Sequence, residues 1–97
     1  MVRNDAPRFG TAGLSDSFRA GGGKTPEDIA AFTASFGLTA FEYQCGRGVR
    51  IQDARAAALG AACAGRGIAL SVHAPYYISM SSLEEDKRLH SIDYLLQ

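Results

Sequence analysis

The chain has 97 residues, room for one small domain at most, and such a chain buries a smaller share of its surface than a larger one. Lys and Arg total 10, as do Asp and Glu, so the formal net charge is zero and bulk electrostatics selects neither a nucleic acid nor an acidic membrane surface; a local basic patch is compatible with that balance. No window approaches the roughly 18 uninterrupted apolar residues of a membrane span, and the start Met-Val-Arg-Asn-Asp-Ala-Pro-Arg has no apolar core behind its charges, which predicts a soluble, cytoplasmic protein.

After this polar leader, Arg8 to Leu14 reads as a short strand of small residues entering a loop that ends in Gly21-Gly22-Gly23-Lys24. A lysine behind glycines suggests a phosphate loop, but the GxxxxGK[ST] spacing fails, because the position that needs the first glycine is Phe18. Thr25-Pro26-Glu27-Asp28 is a helix start: an N-cap threonine, a proline where a missing N–H costs nothing, and acids at the positive end of the dipole. Ile29, Phe32, Thr33 and Phe36 give that helix one face for a sheet, and Gly37 ends it.

Leu38 to Cys45 is the second strand, followed by the loop Gly46-Arg47-Gly48-Val49-Arg50. Glu42 within it has two readings, a solvent-facing acid at a sheet edge or an acid pointing into a barrel interior, where it needs a partner. Gln52 or Asp53 opens an alanine-rich helix with Leu59 and Cys63 on its buried side and Gly65 and Gly67 at its end. Cys45 and Cys63 have neither zinc-site spacing nor the density of a disulfide framework, so both are expected as reduced core thiols.

Ile68 to Val72 forms the third strand, whose period-two alternation brings His73 out at its C-terminal end just before Pro75 breaks the ladder. A loop runs to Ser82, which with Glu85 predicts a capping box for a last helix that buries Leu89, Ile92 and Leu96. His90, inside that charged helix, reads as solvated. Strands and helices alternate three times, which implies an α/β fold with a parallel sheet. The loops after the strands then gather the glycine tract, Arg47 and Arg50, and His73 with Tyr76 and Tyr77 at one end, where α/β folds place chemistry. Two unpaired outer strands and a last helix without a C-cap suggest that residues 1–97 are the N-terminal portion of a single, larger (β/α)8 barrel, which takes about 250 residues.

A histidine at a strand end serves as a metal ligand or general base, or as a hydrogen-bonded structural residue, and no second ligand stands at a matching spacing. Tyr76 and Tyr77 suit stacking on a base or sugar, or plain packing. Arg47 and Arg50 suit phosphate oxygens, or an ordinary surface loop.

Phe9-Gly10-Thr11-Ala12-Gly13, Phe41-Glu42-Tyr43-Gln44 with Arg47-Gly48-Val49-Arg50, and above all Ser71-Val72-His73-Ala74-Pro75-Tyr76-Tyr77-Ile78 together resemble the N-terminal part of the endonuclease IV family, in its archaeal-type branch. The resemblance implies a xylose-isomerase-like TIM barrel, a hydrolase of DNA repair that uses three zinc ions to cleave DNA on the 5′ side of abasic sites. It assigns His73 as the first retained zinc ligand, Tyr76 as an aromatic that probes the DNA at the lesion, and Arg47 as a contact to the DNA backbone. A metal-activated hydroxide would attack the phosphodiester while the metals stabilise the charge that develops. The chain departs from the better-known bacterial pattern at Thr11-Ala12-Gly13, where that pattern has a histidine, and at Ser79, where it has asparagine. One imidazole cannot satisfy zinc, which takes about four ligands, so these residues alone are expected to be inactive. Two rivals fit the same sequence: a sugar isomerase or epimerase of the same superfamily using Glu42, His73 and one divalent metal, and a non-catalytic α/β module that self-associates through open sheet edges.

Overall fold

The computed structural model describes residues 6–97; most of the polar leader lies outside the described residues. The chain order is β1 (Gly10–Ala12), α1 (Asp16–Ala20), α2 (Pro26–Ser35), β2 (Ala40–Gln44), α3 (Asp53–Gly65), β3 (Ala69–His73) and α4 (Glu85–Leu95). The strands form one parallel sheet in the order β1-β2-β3, so the α/β class read from the sequence holds. The sheet is open: β1 and β3 are its edges and β2 its centre.

Register and strand alternation divide the sheet into two unlike faces. Thr11, Phe41 and Leu70 stand side by side, as do Tyr43 and Val72. Phe41 is buried in the core with Phe18, Ile29, Ala30, Leu59, Cys63 and Ile68, so this is the face that α2 and α3 cover. The opposite face carries Gly10, Ala12, Ala40, Glu42, Gln44, Ala69, Ser71 and His73. Its residues are small or polar, and no helix among the described residues lies over it: Ala12, Gln44, Ala69, Ser71 and His73 are all exposed.

Local chemistry accounts for most of the elements. At α2, Thr25 Oγ1 accepts the Asp28 N–H at 3.1 Å while Asp28 Oδ2 accepts the Thr25 N–H at 3.0 Å, a reciprocal cap, with Pro26 at the first helical position. Gly37 follows at φ +70°, in the left-handed region that L side chains avoid. The cysteines are free and buried, as expected. Arg8 ties down the opposite end of the sheet: Nη1 donates to the Thr39 carbonyl at 3.2 Å and to the Gly67 carbonyl at 2.8 Å, joining the approach to β1 with those to β2 and β3.

The structure departs from the sequence reading in four places. Part of the expected loop after β1 is the short helix α1, capped by Ser15, whose hydroxyl accepts the Phe18 N–H at 3.2 Å and turns Phe18 into the core. Phe36 is the C-cap of α2 and not part of its sheet-facing side; it is 65% exposed. The capping box expected for α4 does not form: the helix begins two residues later, with Glu84 as N-cap, and Ser82 Oγ accepts the Glu84 N–H in a turn of its own. Leu89, Ile92 and Leu96 are exposed, not buried, because α4 lies away from the sheet across a gap of about 420 Å³ lined by Val49, Ile51, Val72, Pro75, Tyr94 and Leu95.

Candidate functional site

Glu42, at the middle of β2, and His73, the last residue of β3, both stand on the uncovered face of the sheet. Glu42 Oε1 accepts the Gln44 amide at 2.7 Å and lies 3.6 Å from His73 Nδ1. That separation attracts a protonated imidazole but exceeds a formed hydrogen bond. About a third of the Glu42 side chain and half of the His73 side chain are solvent-accessible, so both are open to a third party. Glu42 stands on the central strand and not at an edge, and it has partners while still open to solvent.

Beyond the strand ends, Gly46, Arg47, Tyr76 and Tyr77 line an open depression. The loops after β2 and β3 are joined there by the Tyr76 N–H donating to the Gly46 carbonyl at 3.0 Å. Gly48 has φ +125°, and a Cβ at that position would lie 3.3 Å from Tyr77 Oη, so a glycine lets the Arg47 loop pass close to the tyrosine. Tyr76 packs edge-on against Tyr77 at 5.6 Å between ring centroids, yet is 78% exposed. Two of the three residues singled out in the sequence, Arg47 and Tyr76, thus share one depression, and the third, His73, pairs with Glu42 on the sheet face beside it. Arg50 is exposed but does not line this depression.

The glycine tract has a structural task. Lys24 donates its N–H to Asp28 Oδ2 at 3.0 Å and its carbonyl accepts from Arg55 Nη2 at 2.6 Å, so the segment caps α2 and joins it to the first turn of α3.

Zinc takes about four ligands in its structural sites and three protein ligands plus an open position in its catalytic ones. Glu42 and His73 are of the right chemistry and close enough to share one ion, but among the described residues no group of three or more His, Cys, Asp or Glu comes together. These residues alone therefore do not make a zinc site. No helix among them is long and apolar enough to cross a membrane.

Sequence reasoning missed two features of this region. One is Gln44, although a residue two positions from Glu42 on a strand must share its face. The other is the set Arg88, Ser91 and Tyr94 on α4, which the more conspicuous leucines conceal. None of the protein families, curated proteins or solved structures compared with this chain matches it.

Proposed function

We propose that the chain forms one wall of an endonuclease IV-like, zinc-dependent phosphodiesterase site that acts at abasic positions in DNA, its three strand–helix units being part of a TIM barrel. The observation that carries this reading is the Glu42–His73 pair, 3.6 Å apart on a sheet face of small and polar residues that no helix among the described residues covers. An inward-facing strand surface of that kind suits a barrel interior, where the strand ends supply ligands. Glu42 and His73 would hold part of the metal's coordination shell, and the remaining ligands would come from residues other than those described. Arg47 would pair with a backbone phosphate, and the exposed ring of Tyr76 would stack at the lesion. The test is nicking of a duplex with a single abasic site by the protein expressed from its whole reading frame. Cleavage that a chelator abolishes and zinc restores is expected; absence of cleavage with zinc present overturns the proposal.

The Gln44 amide on Glu42 favours one competing reading, a sugar isomerase or epimerase of the same barrel type, since the pair presents a donor beside an acceptor, as a vicinal diol requires. Interconversion of aldose and ketose without nicking would select it.

A further inference from the structure

We infer that one face of α4, made by Arg88, Ser91 and Tyr94, is a clamp that positions the tyrosine pair Tyr76 and Tyr77 beside His73. The inference deepens the phosphodiesterase reading and rests on it for the use made of the tyrosines, though not for the clamp itself. The three residues are spaced i, i+3, i+6 and so follow one side of the helix. Each holds a different point of the loop that leaves β3. Arg88 Nη1 donates to the Ser82 carbonyl at 2.9 Å. Ser91 Oγ accepts the Ser79 N–H at 2.8 Å while donating to the Lys87 carbonyl at 2.8 Å. The Tyr94 ring meets that of Tyr77 edge-on at 4.7 Å.

Burial singles out these contacts. Ser91 is 2% exposed and is the one buried residue of α4, whereas Leu89, Ile92, Leu95 and Leu96 are all at least 40% exposed. A surface helix normally docks through its apolar stripe. Here a hydroxyl with both hydrogen-bonding roles filled, a guanidinium and a ring edge dock it to a loop instead. On its far side the loop is held by the Tyr76 N–H on Gly46. The segment is thus held at two adjacent points, Tyr77 by the Tyr94 ring and Tyr76 by its backbone on Gly46, and the Tyr76 ring, which packs on Tyr77, is presented outward with most of its surface free. Ser91 is accordingly a positioning residue: it touches neither the depression nor the Glu42–His73 pair, and acts through Ser79 on the segment that carries the tyrosines.

The test compares Ser91→Ala, Ser91→Thr and Tyr94→Leu with the unaltered protein. Amide hydrogen exchange at Ser79 and NMR relaxation of the Tyr76 ring report the clamp, and anisotropy with a fluorescent duplex containing a tetrahydrofuran abasic analogue reports its use. Ser91→Ala should speed exchange at Ser79 by about tenfold or more. It should mobilise the Tyr76 ring, which α4 does not touch, and weaken duplex binding roughly five- to tenfold, a fraction of one stacking interaction. Ser91→Thr, which keeps the hydroxyl, should restore all three. Where Ser91→Ala loses its far-UV circular dichroism, Tyr94→Leu carries the same comparison. Unchanged exchange and ring motion in a folded variant overturn the clamp; faster exchange with unchanged binding overturns its positioning role. If the unaltered protein fails to bind the duplex, the phosphodiesterase reading falls, and the clamp is judged by exchange and ring motion alone.

Discussion

Glu42 Oε1 and His73 Nδ1 face each other across 3.6 Å from adjacent parallel strands, although the register sets Glu42 beside Ser71 and His73 beside Gln44. The two side chains are therefore diagonal neighbours on one face, and the pairing is fixed by strand register and not by a turn or a loop. Two donors held by a sheet are preorganised for a shared cation or a shared proton.

If the pair forms part of a metal site, the protein should bind Zn²⁺ through it. His73→Ala and Glu42→Gln should each weaken that binding by about tenfold or more. Competition against a chromophoric chelator measures it. Equal affinity in the unaltered protein and both variants would remove the pair from the ligand set.

Asp28 gives the chain an acid-sensitive point. The Thr25 backbone N–H, then that of Lys24, then the Thr25 side chain stabilise its carboxylate and hold its pKa below the ordinary 3.8. Because the folded value lies below the unfolded one, the stability from this carboxylate is fully present above the unfolded value and is lost as pH falls through the folded one. Thermal midpoints followed from about pH 6 to pH 2 should show this loss, and Asp28→Asn should flatten that part of the curve. Thr25→Ala should cost about 1 kcal/mol at neutral pH by removing the cap.

Legibility in the sequence followed the range of the forces involved. The start and the stop signal of helix α2 were readable because its cap, its proline and its terminating glycine are all local, whereas the placing of Phe36 on its buried side was not. Leu59 and Cys63 were readable from helical periodicity, and Cys45 from the lack of any zinc-site or disulfide spacing. Helix α1 was not, since its five residues are too few for a period and a glycine tract follows them. The buried face of α4 was misread because Leu89, Ile92 and Leu96 have the right spacing for a core that the described residues do not provide. In the site, His73 and Tyr76 were conspicuous as residue types, but their arrangement was not: that His73 meets Glu42 depends on register, and that Arg47 meets Tyr76 depends on two loops converging.

The contrast between the two apolar environments is itself measurable. Phe41 is 3% exposed at the centre of the core, so Phe41→Ala should cost about 3–5 kcal/mol. That is a large part of the roughly 5–15 kcal/mol that holds a domain folded, and urea unfolding should lose its cooperative transition. Leu89 is 52% exposed, so Leu89→Ala should stay within about 0.5 kcal/mol of the unaltered protein. A large loss at Leu89 would mean that α4 docks through its leucines.

Cys63 tests the core from the chemical side. Burial, and next the negative charge of Glu27, push its thiol above the ordinary 9.0, which disfavours the reactive thiolate. The folded value exceeds the unfolded one, so stability from the neutral thiol is complete below the unfolded value and declines as pH rises through the folded one. In a Cys45→Ala background, Ellman's reagent at about pH 8 should label Cys63 only as fast as the protein unfolds. Adding urea up to the transition should accelerate labelling in step with the unfolded fraction. Rapid labelling without urea would show that α2 and α3 open over Cys63 far more readily than its 1% exposure implies.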